Sequence, residues 1–250
     1  MTALSINLNK IALIRNSREG NYPDIIHHAE ICIENGADGI TVHPRPDQRH
    51  IRPDDVQQLA TLVKPLKSVE FNVEGNPFAP PCNTYPGFTE LVEETQPDQC
   101  TLVPDSDDQL TSDHGFNLTL SADRLSPIIE RLKSQGMRVS LFMDPDLNQI
   151  ELASQVGADR IELYTGPYAA AWGTDKLENL FEQHQAAAEL AHSLGLGVNA
   201  GHDLNLDNLG KFASIPNLLE VSIGHAFTVD SIAMGMANAV RAYKVLLSST

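Results

Sequence analysis

The strongest constraint on this chain is an alternation repeated eight times. Strand-like runs rich in β-formers recur at Leu4–Asn9, Gly39–His43, Ser68–Val73, Gln99–Val103, Arg138–Met143, Arg160–Tyr164, Gly197–Asn199 and Leu219–Ile223. Helical patterns fill the intervals near 23–35, 53–64, 87–95, 122–135, 146–156, 175–194, 205–214 and 229–247. Gly36, Gly136, Gly157 and Gly195 each follow a helix-like segment and lead into a β-rich run, where a residue with φ > 0 is needed. Start signals stand at Pro23-Asp24, Pro53-Asp54-Asp55, Asp146 and Asp230-Ser231. Eight such units in 250 residues predict a single (β/α)₈ barrel over 1–250 with extra helices. A doubly wound open sheet usually opens with a Gly-rich turn, and "NLNKIALIRN" has none.

At 42% hydrophobic residues, the chain can fill a core. A formal charge of −16 argues against nucleic acid and anionic membrane surfaces as partners. The first residues lack a basic segment followed by an apolar run, so no signal peptide is expected, and no apolar stretch approaches the ~20 residues needed to span a bilayer. Cys32, Cys82 and Cys100 match no zinc or redox spacing, which predicts reduced thiols and a cytoplasmic location. One irregular stretch, 75–88, carries four prolines and reads as a structured excursion after the third strand.

A barrel builds its active site at the C-terminal ends of its strands. Here those ends carry Asn7, Asn9 and Lys10; His43 and Arg45; Asp105; Asp144; Glu162, Tyr164 and Thr165; Asn199 and His202; and Gly224-His225. The third strand contributes Glu70, Asn72 and Glu74. A rim histidine is as often a backbone partner as a functional group. Four together, His43, His50, His202 and His225, carry more weight, whereas His27, His28, His184 and His192 fall in helices and read as surface residues. Glu70 alternates with Val69 and Phe71 and is expected to face the barrel axis beside His43, where burial raises a carboxyl pKa toward the range of proton transfer. Two anion sites are expected. Arg45, Arg49 and His50 offer charged donors beside the second strand, and "NAGHD" joins "IGHAFT" where barrels bind phosphate.

The motifs "NLNKIALIRNSR", "GADGITVHPRPDQRHI", "VEFN", "LTSDHG", "VSLFMD", "IELYTGPYA", "GLGVNAGHDLN" and "SIGHA" together resemble the pyridoxine 5′-phosphate synthase family, in the family's order and along nearly the whole chain. The resemblance implies a (β/α)₈ barrel assembling as a homo-octamer without metal or organic cofactor. It implies condensation of 3-amino-2-oxopropyl phosphate with 1-deoxy-D-xylulose 5-phosphate to pyridoxine 5′-phosphate, phosphate and water. It further implies that His43, Glu70 and His202 are catalytic. Asn7, Arg18, Asp203, Gly224 and His225 would bind the amino-ketone phosphate. Arg45, His50 and Thr111 would bind the deoxyxylulose phosphate, with Thr111 in a closing lid over 105–117. Two departures are visible: Asn9-Lys10 stands where Asp-His is common, and Asp203 where Gly is common. Lys10 and Asn9 are expected to take over the deoxyxylulose phosphate contacts. A metal-dependent barrel hydrolase and a non-catalytic phosphosugar-binding barrel are the rival readings.

Overall fold

Glycine makes the turns that the alternation requires. Gly36, Gly136, Gly157 and Gly195 take φ of +104°, +90°, +87° and +82°, reversing the chain from an outer helix into the next inner strand. In a computed structural model, which describes residues 1–106 and 108–248, the strands are β1 (Ala3–Asn7), β2 (Gly39–Val42), β3 (Glu70–Gly75), β4 (Gln99–Leu102), β5 (Arg138–Met143), β6 (Arg160–Tyr164), β7 (Gly197–Gly201) and β8 (Leu218–Ile223). All eight pair in parallel, in chain order, and β8 returns to β1 to close the barrel. The helices are α1 (Asn9–Asn16), α2 (Ile25–Glu34), α3 (Pro53–Val63), α4 (Phe88–Thr95), α5 (Leu118–Ser134), α6 (Leu147–Gln155), α7 (Gly166–Ala170), α8 (Leu177–Ser193), α9 (Leu209–Phe212), α10 (His225–Met234) and α11 (Met236–Ser248). None of the described helices is long and apolar enough to cross a membrane.

Several boundaries differ from the sequence reading for local reasons. β1 ends at Asn7 because the Asn7 side chain accepts the Asn9 N–H (2.9 Å), turning the chain directly into α1. The expected helix over 229–247 is two helices, α10 beginning at His225 and α11 following the break at Gly235 (φ +83°). Asp24 and Asp146 cap α2 and α6 as expected, each accepting two backbone N–H groups. His184 is buried rather than on the surface. Its ring packs against Tyr168 and Phe212, and both nitrogens find backbone carbonyls, Leu180 O at 2.7 Å and Tyr164 O at 3.0 Å. Those partners make its burial tolerable.

Outward-facing Val42, Phe71, Val73, Leu141 and Ile161 bury against the helices. The axis is different: it is polar and hydrogen-bonded. Ser5 meets Thr41 (2.7 Å), Thr101 donates to Asn72 (3.0 Å), and Arg160 donates to Asn199 (3.0 Å). This is why the strands alternate apolar and polar residues, although parallel strands covered on both faces usually read as continuous apolar runs.

One buried ion pair ties α1 to α3. Arg15 donates from both terminal nitrogens to Asp55 (2.5 and 2.9 Å) and also to the His50 carbonyl (3.0 Å). Asp55 simultaneously caps α3 by accepting the Arg52 N–H (2.7 Å). Asn16 adds a fan of donors to the carbonyls of Gln48, Arg49 and His50 (3.2, 3.1 and 2.8 Å). Removing one member of a buried pair leaves the other charge uncompensated. Asp55→Ala is therefore expected to lower unfolding free energy by ~3–5 kcal/mol in urea titration, while the double change Arg15→Met with Asp55→Leu recovers most of it. A loss under ~1 kcal/mol for Asp55→Ala would show the pair to be solvated.

Candidate active site

Parallel register decides which side chains meet. Gly39 pairs with Glu70, Thr41 with Asn72 and Val42 with Val73, so one step further along β2 and β3 His43 stands beside Glu74. The observed distance is 3.9 Å from His43 Nδ1 to Glu74 Oε2. Glu70 was expected in that position. It is instead the first residue of β3, at the opposite end of the barrel, where it forms an ion pair with Arg138. The expected facing was correct, because Glu70, Asn72 and Glu74 share one face. The height was not: four residues at ~3.3 Å per residue separate the two carboxylates by ~13 Å along the strand. The Arg138 hydrogen bond holds the Glu70 carboxyl below the ordinary carboxylate range, the reverse of what the expected role requires.

The C-terminal rim encloses a cavity of about 350 Å³. Asn7, Asn9, Lys10, His43, Arg45, Arg49, His50, Glu74, Thr111, Glu162, His202, Asp203, Gly224 and His225 all line it. Thus nearly every residue singled out from the sequence converges on one site. Arg18 does not: it lies exposed on the turn after α1 and is absent from the cavity wall. Glu70 belongs to a separate cavity of about 240 Å³ at the other end of the barrel, with Asp38, Arg160 and Glu220.

The supports of each group follow from the loops. Asn9 accepts the His43 N–H (2.8 Å), and Asn7 donates to Glu74 Oε2 (3.4 Å), so the turn from β1 to α1 positions both partners of the pair. His50 accepts the Ile51 N–H at Nδ1 (2.9 Å), which leaves Nε2 as the protonated nitrogen of its neutral ring. Arg45 pairs with Asp105, and Arg49 donates to the Gln109 carbonyl (2.8 Å), drawing the segment after β4 over the cavity. Thr111 on that segment reaches His202 Nε2 (2.8 Å). Of the segment 105–117, residue 107 lies outside the described residues. Gly224 precedes α10, and Gly224 and His225 at the start of that helix line the cavity, the end of a helix that suits an anion. Gly201 is needed beside Glu162, since a Cβ at 201 would collide with the Glu162 carboxylate.

Electrostatics separates acid from base. Burial, followed by the charges of Arg45, His50 and Arg49, holds His43 well below the usual histidine range. His50 is pushed down to about 3 by burial and then by Arg45 and Lys10. Burial, followed by Glu162, Asp105 and Glu220, holds Glu74 well above the carboxylate range. The two shifts run in opposite directions, favouring the protonated carboxyl of Glu74 and the unprotonated imidazole of His43, which is the arrangement of an acid and a base at one centre. Glu162 is pushed up to about 8 by burial and by Glu220. Sequence reasoning noted Glu74 and Glu162 only as strand-end residues. The signal that finds Glu74 is its place as the last charged residue before the β3 turn, level with His43. Among the described residues, no group of three or more His, Cys, Asp or Glu side chains is arranged to hold a metal ion.

A sequence-family model described as pyridoxal phosphate biosynthesis protein PdxJ matches residues 4–249. The chain belongs to this family. Relatives include the pyridoxine 5′-phosphate synthase of Xanthomonas campestris pv. campestris (strain B100), 53% identical over 248 residues, covering 99% of this chain and 96% of that one. The protein of the same name from Xylella fastidiosa (strain M12) is 51% identical over 249 residues, covering 99% and 95%. Among solved structures, the tryptophan synthase alpha chain from Legionella pneumophila subsp. pneumophila superposes with a TM-score of 0.66 at 13% identity, covering 100% of this chain and 92% of that one. The 3-hexulose-6-phosphate synthase from Salmonella typhimurium gives 0.65 at 16%, covering 99% of each. These two likenesses are of fold. PdxJ family membership is consistent with an enzyme, and with the acid–base centre found here.

The raised Glu162 pKa has a consequence for stability. The folded state keeps a proton up to about pH 8, whereas the unfolded chain loses it near 4.5. Between those values the unfolded state binds fewer protons, so this group destabilises the fold increasingly as pH rises. Glu162→Gln is expected to gain on wild type by a few kcal/mol (order of magnitude) between pH 5 and pH 9 in denaturant titrations. A constant difference across that window would mean Glu162 ionises normally.

Proposed function

We propose that the protein is a pyridoxine 5′-phosphate synthase, condensing 3-amino-2-oxopropyl phosphate with 1-deoxy-D-xylulose 5-phosphate to give pyridoxine 5′-phosphate, phosphate and water. The observation that carries this reading is the single cavity in which two sets of phosphate-binding groups flank an acid–base pair. Arg45, Arg49, His50 and Lys10 hold the deoxyxylulose phosphate. The planar fork of Arg45 and the Nε2–H of His50 suit phosphate oxygens. Asn7, Gly224 and His225 hold the amino-ketone phosphate at the start of α10.

Joining an amine to a ketone, losing water and closing a ring each require protons to be moved. Unprotonated His43 takes a proton from the substrate, and Glu74 delivers one to a departing hydroxyl. Each such transfer is worth ~10²–10⁴ in rate. Protonated Glu162 offers a hydrogen bond to developing negative charge. His202, on the opposite strand pair, serves the other end of the substrate. The segment 105–117, tied down through Arg45, Arg49 and Thr111, acts as a lid that keeps water from the imine. Arg18 lies outside the cavity of its own chain, so its expected phosphate contact has no support within one subunit.

Exposed apolar side chains at Ile14 on α1 and Val229 and Ile232 on α10 suit burial against other copies of the chain and support self-assembly, while the expected number of eight rests on the family resemblance. The free cysteines, Cys32, Cys82 and Cys100, support a cytoplasmic setting. Turnover is expected without an added metal. The direct test is to mix both phosphorylated substrates with the purified protein, with and without a chelator. Equal amounts of pyridoxine 5′-phosphate and inorganic phosphate should appear in both. Absence of product, with both substrates bound, would favour the phosphosugar-binding reading. Product that vanishes with chelator would restore a metal-dependent one.

A further inference from the structure

His202 and Asp203 are consecutive, and both have left-handed backbone, φ +86° and +60°. Such conformations are costly for residues with side chains and persist where the surroundings impose them. Two buried side chains impose them here. The Thr165 hydroxyl donates to the carbonyls of Gly201 (2.7 Å) and His202, and Asn208 Nδ2 donates to the Asp203 carbonyl (3.2 Å). The turn lets adjacent side chains meet, as they cannot in extended chain: Asp203 Oδ2 lies 3.1 Å from His202 Nδ1.

The chemistry of that contact assigns the proton. An ionised carboxylate only accepts, so Nδ1 carries the hydrogen and Nε2 the lone pair. Nε2 is the nitrogen that faces the cavity, where it accepts from Thr111. Tyr164 stands edge-on to the imidazole, 5.4 Å between ring centroids, and limits its rotation. The hydrogen bond from His202, with the nearby charges of His225 and Lys10, holds the Asp203 carboxyl below its ordinary range, so it stays ionised. A carboxylate is also a poor ligand for the phosphate that this position was expected to bind.

We infer that Asp203 is a positioning residue: it locks His202 as the Nδ1–H tautomer, with the Nε2 lone pair presented to the substrate, and stabilises the imidazolium that forms when Nε2 takes a proton. The inference rests on the reading of His202 as a proton-transfer group. The proton gained at Nε2 is later returned to substrate from the same nitrogen, and Asp203 itself is not protonated.

The test combines side-chain ¹⁵N NMR of histidine with kinetics on both substrates. His202→Gln identifies the His202 signals by their loss. Wild type should show one tautomer protonated at Nδ1. Asp203→Gly, which suits the backbone conformation and should fold, should show mixed tautomers. Its kcat should fall about 10- to 100-fold, the usual consequence of removing a carboxylate that orients a working imidazole, with KM for both substrates changed less than about threefold. Asp203→Asn retains an acceptor for Nδ1–H and should recover the tautomer but only part of kcat. A wild-type His202 protonated at Nε2, or unchanged His202 signals in Asp203→Gly, would overturn the inference alone. So would a raised KM for the amino ketone at unchanged kcat, which would make Asp203 a substrate contact. Undiminished turnover in His202→Gln would overturn the reading on which the inference rests.

Discussion

A closed ring of parallel strands leaves alternate side chains only one destination, the axis, and this register governs everything else in the molecule. The axis here is lined with hydroxyls, amides, carboxylates and guanidiniums rather than the branched apolar layers common in such barrels. Burying such groups is tolerable when they pair with one another, and two hydrogen-bonded chains do most of this: Ser5–Thr41–Asn72–Thr101 runs along β1 to β4, and Arg138–Gln99–Asn199–Arg160 crosses the axis between β4 and β7. The network separates two ends of different chemistry. At the N-terminal end Glu70 is neutralised by Arg138. At the C-terminal end Glu74 has a long hydrogen bond from the neutral amide of Asn7 (3.4 Å) in place of a guanidinium, and it is crowded by other carboxylates. Two glutamates on one strand face therefore take opposite protonation behaviour.

Cationic side chains in an acidic protein are concentrated where they have two uses. Arg45 and Arg49 grip the segment after β4 and are also the groups best suited to a substrate phosphate. Burial, reinforced by their charge, holds His43 and His50 below the usual histidine range. The loop carrying them is itself held from below by Arg15 and Asn16, so the buried Arg15–Asp55 pair links the outer helices to the geometry of the site. Stability and binding draw on the same contacts.

The sequence made the fold and the identity of most of the site legible, and the reasons are local. Glycines after helices and β-rich runs between them are short-range signals, and the four predicted left-handed glycines all hold. Histidines and arginines at strand ends converge because a barrel has one C-terminal rim. What was not legible depends on distances along and across strands. Glu70 and Glu74 share parity, and only the register against β2 reveals which one reaches His43. His184 looked like surface because the Tyr164 carbonyl on β6 and the Tyr168 and Phe212 rings that receive it are invisible in the helix that carries it. The contact between His202 and Asp203 depends on two successive left-handed residues, which no propensity anticipates.

The central claim is that catalysis rests on the carboxyl at the top of β3 and not on the one at its base. The most direct measurement is the turnover of Glu74→Gln beside that of Glu70→Gln, both checked for folding by circular dichroism. Glu74→Gln should lose ~10²–10⁴ in kcat, the range expected for removal of a general acid–base, with substrate affinities little changed. Glu70→Gln should turn over within a few-fold of wild type and show its effect in stability, through the unpaired Arg138. A folded Glu74→Gln with near-normal turnover, or the larger kinetic loss in Glu70→Gln, would contradict the account.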